Sequence, residues 1–208
     1  MDIVAPKIEE YLDRLLASED EVLKEMEREG KERRFPIVGP QVGRLLCLMA
    51  QMTGARQIFE MGSGFGYSAY WFLKGMPPGG RVILTDGSEE NLNRARHYFS
   101  QAGLLDRVHT EVGDALDLIQ QYPGPFDIIF NDIDKEQYPR AFKKALPRVR
   151  KGGLLISDNV LWFGTILTDS REPDVQGIRE YTKLIMGTKE VFTAIIPVRD
   201  GVSISVRL

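Results

Sequence analysis

From residue 56 onward the chain alternates short β-rich runs with helical stretches, and few folds accommodate that alternation. Arg56–Met61, Arg81–Asp86, Arg107–Val112, Phe126–Asp132 and Gly153–Asn159 read as strands. Between them the spacing predicts helices over about 66–75, over Ser88–Gln101, briefly from Asp114, over Tyr138–Val149, and, after a loop, near 174–186. Strands that alternate with helices pair as βαβ units in a parallel sheet, with right-handed crossovers. The end breaks the pattern. Val191–Val198 and Val202–Val206 are separated only by Arg199-Asp-Gly201, and Asp-Gly between two such runs signals a hairpin. The expected sheet has seven strands, mostly parallel, finished by an antiparallel pair.

Ahead of the alternation, residues 1–53 read as a helical extension. With an α/β core over 54–208 they make a single domain, 1–208. Ile8, Tyr11, Leu12, Leu15 and Leu16, then Val22, Leu23 and Met26, recur at helical spacing. Ser18-Glu-Asp-Glu21 reads as a capping box that restarts a helix, and a further helix is expected from about Pro40 to Met52. The chain has 208 residues, 43% hydrophobic, enough for a substantial core without disulfides. Its 27 Lys+Arg against 30 Asp+Glu leave a net charge of −3, unlike a protein built to hold DNA or other phosphate backbones. The single cysteine, Cys47, lies in Leu45-Leu46-Cys47-Leu48-Met49 and reads as a small buried apolar residue. The opening MDIVAPKIEEYLDRLL is acidic and lacks the apolar run of a signal peptide. No stretch approaches the roughly 18–20 apolar residues of a membrane span. A cytoplasmic protein with no membrane partner is expected.

The first strand runs into Glu60-Met-Gly62-Ser-Gly64-Phe-Gly66-Tyr67-Ser68. Glycines at such a strand–helix turn let a ligand approach the backbone. A dinucleotide fingerprint would read G-x-G-x-x-G; here the third glycine comes one residue early. Glu60 would repel a pyrophosphate, yet it could pair with a cationic amino-acid end. S-adenosylmethionine carries an ammonium and a sulfonium and no phosphate. Asp86 ends the second strand, where an acid can accept both ribose hydroxyls; a NAD enzyme would use the same acid. Asp114, after the third strand, either faces an adenine amino group or simply caps a helix.

Acids also end the fourth and fifth strands, in Asn131-Asp132-Ile-Asp134-Lys135 and Ser157-Asp158-Asn159. Open α/β sheets bind ligands at these carboxyl ends. If the two strands are neighbours, Asp132 meets Asp158 and Asn159, and two carboxylates with an amide oxygen suit a hard cation such as Mg²⁺ or Ca²⁺. Two unpaired acids packed together disfavour ionisation of both, a conflict that a divalent cation resolves. No His/Cys cluster suggests zinc. Lys135, within one turn of Asp132, is a candidate base, with Asp134 as a candidate to orient it.

Taken in order, these segments resemble one family: the cation-dependent O-methyltransferases that include catechol and caffeoyl-CoA O-methyltransferases. Val38-Gly39-Pro-Gln-Val-Gly43 resembles the segment closing over the cofactor's methionine part. Glu60-Met-Gly62 with Gly66-Tyr67-Ser68 resembles E-[IL]-G-T-x-x-G-Y-S. Phe130-Asn-Asp132-Ile-Asp134-Lys135-Glu-Gln-Tyr138 resembles F-x-D-x-D-K-x-x-Y, and Asp158-Asn159-Val-Leu-Trp162-Phe-Gly164 resembles D-N-x-L-W-x-G. The resemblance implies a Rossmann-like class I methyltransferase fold. It implies S-adenosylmethionine contacts at Val38, Glu60, Gly62, Ser68, Asp86, Asp114 and Asp132. It also implies ligation of a divalent cation (Mg²⁺, with Ca²⁺ or Mn²⁺ as alternatives) by Asp132, Asp158 and Asn159, with Lys135 and Asp132 as the catalytic pair. Three positions depart from the family pattern: Ser63 stands for Thr, Gly64 for a bulkier residue, and Asn131 for an aliphatic one, which would bring polar chemistry beside the metal. The short N-terminal arm argues against an acyl-CoA phenolic substrate.

The expected activity is metal-dependent methyl transfer to a hydroxyl of a small catechol-like or vicinal-diol acceptor, with Trp162 as a wall for a flat ring. Family-level homodimerisation is expected too. An alternative acceptor is a hydroxylated uridine of tRNA, served by a basic face of Arg33, Arg34, Arg140, Lys143, Lys144, Arg148, Arg150 and Lys151. More remote alternatives are a NAD-binding oxidoreductase and a non-catalytic cofactor-binding module.

Overall fold

The computed structural model describes residues 3–208; Met1 and Asp2, the first residues of the acidic opening, lie outside the described residues. Three helices come first: α1 (Pro6–Leu15), α2 (Glu21–Arg33) and α3 (Gly39–Thr53). The alternating part follows as β1 (Gln57–Met61), α4 (Tyr67–Gly75), β2 (Arg81–Asp86), α5 (Glu89–Gln101), β3 (Val108–Val112), α6 (Ala115–Leu118), β4 (Phe126–Asn131), α7 (Tyr138–Ala145), β5 (Val149–Ser157), α8 (Pro173–Gly187), β6 (Val191–Ile196) and β7 (Val202–Arg207). The strands form one seven-stranded sheet in the order β3-β2-β1-β4-β5-β7-β6. All pairings are parallel except β5–β7 and β6–β7. The expected plan, a parallel sheet closed by an antiparallel hairpin, is what the chain adopts.

The central strands are near-continuous apolar runs because both faces are covered. Successive residues point to opposite faces, so Ile58, Ile128, Phe130 and Ile156 join a core with α3, α4 and α5. Phe59, Met61, Ile129 and Leu155 join a second core with α7 and α8. The register sets Ile58 against Ile128, and Ile128 against Leu154. Asn131 pairs with Ser157, so the acids that follow each strand emerge side by side.

Several element ends differ from expectation. β4 stops at Asn131 and β5 at Ser157, so Asp132, Asp158 and Asn159 open loops instead of ending strands. β5 begins at Val149, ahead of Gly152 and Gly153, after an irregularity between Phe126 and Ile128 in its partner. α7 ends at Ala145 because Pro147 cannot continue it, and 146–148 tighten into a 3₁₀ turn. The cap of α2 is Asp20 and not Ser18. Asp20 accepts from the backbone N–H of Val22 (3.1 Å) and of Leu23 (3.3 Å), while Ser18 Oγ accepts from Asp20 N–H. The N-terminal apolar stripe splits: Leu23 and Met26 are buried, but Ile8, Tyr11 and Leu15 are exposed. Cys47 is half-buried against the first core. Among the described residues no helix is long and apolar enough to cross a membrane.

Candidate functional site

A cleft of about 1110 Å³ opens over the carboxyl ends of β1, β2, β4 and β5, with α1 and the 35–40 segment along its rim. It brings together Val38, Gly62, Ser68, Asp86, Asp132, Lys135, Asp158, Asn159 and Trp162 from widely separated parts of the chain.

The glycine turn forms one wall. Gly62 has φ +79°, and a Cβ there would lie 2.5 Å from the backbone oxygen of Asp132, so only glycine lets β1 and β4 approach at this point. Asp86 holds the turn from the next strand: its Oδ2 accepts from Gly64 N–H (2.9 Å). Its Oδ1 accepts from Ser88 N–H (2.8 Å) and from Asn91 Nδ2 (3.1 Å). Glu60 is fully buried behind this wall and does not line the cleft. Ser68 Oγ donates to Glu60 Oε1, and Glu60 Oε2 has no partner among the described residues. Burial, reinforced by the charges of Asp132 and Asp86, pushes the Glu60 carboxyl up to about 8.

The acid pair forms the floor. Lys135 Nζ, 7% exposed as a residue, donates to Asp132 Oδ1 (2.7 Å) and to the Ile133 carbonyl (3.2 Å). Its charge sits 5.1 Å from the Tyr138 ring centroid and 5.6 Å from that of Trp162. Tyr138 Oη donates to the Asp158 carbonyl at 2.9 Å and so ties α7 to the end of β5. Burial raises the pKa of Asp132 against the pull of Lys135. Burial and the charge of Asp132 push Asp158 up to about 7. This is a like-charge pair short of cations, and one divalent cation would relieve it. No group of three or more His, Cys, Asp or Glu side chains able to hold a metal occurs among the described residues. The expected set of two carboxylates and an amide is of a different kind, and its oxygens suit a hard cation. Asn159, the expected amide ligand, has a left-handed backbone (φ +56°), a conformation Asn tolerates better than most residues.

Other expected residues fall elsewhere. Asp114 is exposed, caps α6 by accepting from Leu116 N–H (2.7 Å), and is off the cleft wall. Asn131 turns away from the cleft. Its Nδ2 donates to Ser157 Oγ (3.3 Å), which is paired with Tyr181 Oη (2.6 Å). Its amide is therefore directed at Ser157 and not into the cleft. Trp162 faces the cleft, partly exposed, on a left-handed backbone (φ +43°). Half of the expected basic face is spent internally, while Arg34, Arg140, Lys143 and Lys151 are exposed. Arg33 pairs with Glu29 (2.9 Å), Lys144 with Asp117 (3.6 Å) and Arg150 with Asp127 (2.6 Å). Arg148 donates to the carbonyls of Tyr122 (3.0 Å) and Lys144 (2.8 Å).

Two cleft residues, Arg199 and Asp200, look in the sequence like nothing more than hairpin-turn residues. Asp200 is nearly buried: its Oδ1 accepts from Phe163 N–H, its Oδ2 has no partner, and its backbone carbonyl takes Leu161 N–H (3.0 Å). A turn signal hides such a role, because Asp before Gly is what any hairpin would show.

The model of a family described as O-methyltransferase matches residues 14–208. A catechol O-methyltransferase of Niastella koreensis is 34% identical over 91% of this chain and 89% of its own length. One from Mycobacterium tuberculosis is 32% identical over 86% and 83% respectively. Among solved structures, an O-methyltransferase from Bacillus cereus in complex with SAH superposes with a TM-score of 0.88, at 34% identity and over 97% of each chain. TomG from Streptomyces achromogenes, an O-methyltransferase involved in tomaymycin synthesis and solved with SAM, also gives 0.88, at 30% identity and over 97% of this chain and 96% of its own.

Proposed function

The chain belongs to the O-methyltransferase family and is an S-adenosylmethionine-dependent methyltransferase, and we propose that it methylates a hydroxyl of a small catechol-like acceptor with the help of a divalent cation. The observation that carries this reading is the floor of the cleft: Lys135 2.7 Å from Asp132, with Asp158 beside them, next to the glycine turn. Asp132, Asp158 and Asn159 would hold the cation. S-adenosylmethionine brings a methyl group on a sulfonium, and a bound divalent cation would lower the pKa of an acceptor hydroxyl.

The chain's own residues do the rest. Val38, Gly62 and Ser68 would border the methionine end, and Asp86 would accept from the ribose hydroxyls. Glu60 stands behind Ser68, whose hydroxyl it accepts, and a cationic group seated at that wall would favour its ionised form. Asp114, which also caps α6, would face the adenine amino group. Lys135 Nζ, its position fixed by Asp132, would donate to the acceptor oxygen as the ammonium, or take the hydroxyl proton once it has released one of its own to solvent. Trp162 offers a flat face to an aromatic acceptor. Much of the acceleration comes from holding nucleophile and methyl in line. Half of the basic face that a tRNA acceptor would need, Arg33, Lys144, Arg148 and Arg150, is paired within the protein, which favours the small acceptor.

The test is methyl transfer from labelled S-adenosylmethionine to a panel of catechols, with Mg²⁺ and with EDTA. Transfer that needs Mg²⁺ is expected. Asp158→Asn removes one charge at nearly constant shape; it should abolish the metal-dependent turnover without lowering the melting temperature of the metal-free protein. Full activity in that variant, or in EDTA, would overturn the metal assignment.

A further inference from the structure

Arg199 is the cleft residue that the mechanism leaves idle, and three observations set it apart. Its backbone is left-handed (φ +48°), a conformation that costs an ordinary side chain and persists where the surroundings impose it. Its side chain lines the same cleft as Asp132, Asp158 and Trp162. It spans the mouth: Nη1 donates to the Ile37 carbonyl at 2.8 Å, and the guanidinium packs on Gly39, where a Cβ would lie only 2.6 Å from Nη1.

That single bond to Ile37 uses one of the five N–H donors of a guanidinium. Among the described residues Arg199 has no ion-pair partner, although Asp132, Asp158 and Asp200 all feel its charge. Arg33, Arg148 and Arg150 of the expected basic face are spent on carboxylates or carbonyls; Arg199 keeps donors available in a ligand-sized cavity. Its side chain reaches the 37–39 segment, while its backbone is tied to the loop of the expected acceptor wall. Asp200, the next residue, accepts from the N–H of Phe163, and Gly201 O accepts from Val160 N–H (2.9 Å), so the hairpin is stitched to the loop that carries Trp162. With a divalent cation in place, Lys135 and Arg199 tip the balance over the three carboxylates to positive. A planar guanidinium with open donors binds carboxylates well.

We propose that Arg199 is a specificity-determining residue that selects acceptors bearing a carboxylate, its guanidinium pairing with that group while the hydroxyls face Lys135 and the acid pair. This rests on the catechol reading above and names the acceptor more narrowly.

The experiment measures equilibrium binding by calorimetry to the full chain saturated with SAH and Mg²⁺. The probes are 3,4-dihydroxybenzoate and its neutral amide, which differ at one group. A charge-assisted bond predicts about tenfold or greater preference for the acid. Arg199→Gln and Arg199→Gly should bring the two ligands to near parity, with SAH affinity within about twofold of the parent. Arg199→Gly also relieves the left-handed backbone, so it should fold at least as well as the parent, which separates recognition from a merely structural strap. Equal affinities in the parent would overturn the proposal. So would a preference that survives Arg199→Gly, or a loss confined to SAH binding, which would place the guanidinium on the cofactor instead. Methyl transfer assayed in parallel separates the two readings. Turnover of both compounds without preference removes the role of Arg199 alone, whereas neither binding nor turnover of either removes the catechol reading with it.

Discussion

Glu60 shows how far burial can move a single group. Its folded pKa of about 8 lies above the ordinary carboxylate value of 4.5. The folded state therefore keeps a proton that the unfolded state releases between those values. The stability this group confers is present below about pH 4.5 and is lost as pH rises towards 8. Urea unfolding of the ligand-free protein should show a decline over that window, and Glu60→Gln should lessen it, leaving what Asp132 and Asp158 add; an unchanged slope would mean that the Glu60 carboxyl is ionised when folded. Lys135 makes a second residue-scale case. Its ammonium touches Asp132 and packs by Tyr138 and Trp162, so a residue of similar length without the amine keeps the packing and loses the chemistry. Lys135→Met should lower kcat by about 10²–10⁴-fold and leave the KM for S-adenosylmethionine within a few-fold. A change in KM alone would make Lys135 a binding residue.

At the scale of elements, the site depends on pieces that hold one another in place. Asp86 bonds to the backbone of Gly64, so β2 sets the shape of the turn after β1. Asp20 does similar work for α2. It caps two N–H groups and also accepts from Tyr70 Oη (3.2 Å) and Lys74 Nζ (2.7 Å) on α4. The Lys74 contact is partly exposed and adds little. Losing the cap should dominate, so Asp20→Ala should cost about 1–2 kcal/mol in urea denaturation. Restoration of most of that stability by Asp20→Ser would identify the cap as the cause, and failure to restore it would point to the α4 contacts.

For the whole molecule, the cleft is the place where distant parts of the chain meet. Helix α1 has no buried residue and is held by Gln41 Nε2 to Asp13 (2.8 Å) and Arg44 Nε to the Leu16 carbonyl (2.8 Å). A ligand seated there binds the folded state alone. SAH at a hundred times its Kd should therefore add about 2.7 kcal/mol of stability, read as a rise in Tm. In Gly62→Ala the new Cβ would press on the Asp132 backbone, and that rise should shrink or vanish. An equal rise would show that the glycine turn does not contact the ligand.

The sequence alone was enough for the alternation, the closing hairpin, the glycine turn and the acids after β4 and β5, because each is a local signal. Periodicity, turn chemistry and motif spacing are read within a few residues of one another. The cleft residues Gly62, Ser68, Asp86, Asp132, Lys135 and Asp158 were legible for the same reason: each stands at the end of a recognisable element. What escaped depends on contacts between segments far apart. Whether Ser18 or Asp20 caps α2 is decided by backbone geometry and by partners on α4. Asp114 could cap or face a ligand, and the sequence is the same either way. Asn131 turns to Ser157 because β5 lies beside β4 in that register. Arg199 and Asp200 belong to the cleft only because β7 returns antiparallel along β5 and delivers a hairpin turn to the acid pair. Local spacing determines which elements form, but which side chains share one low-dielectric cleft is set by strand order and register, and these are properties of the packed whole.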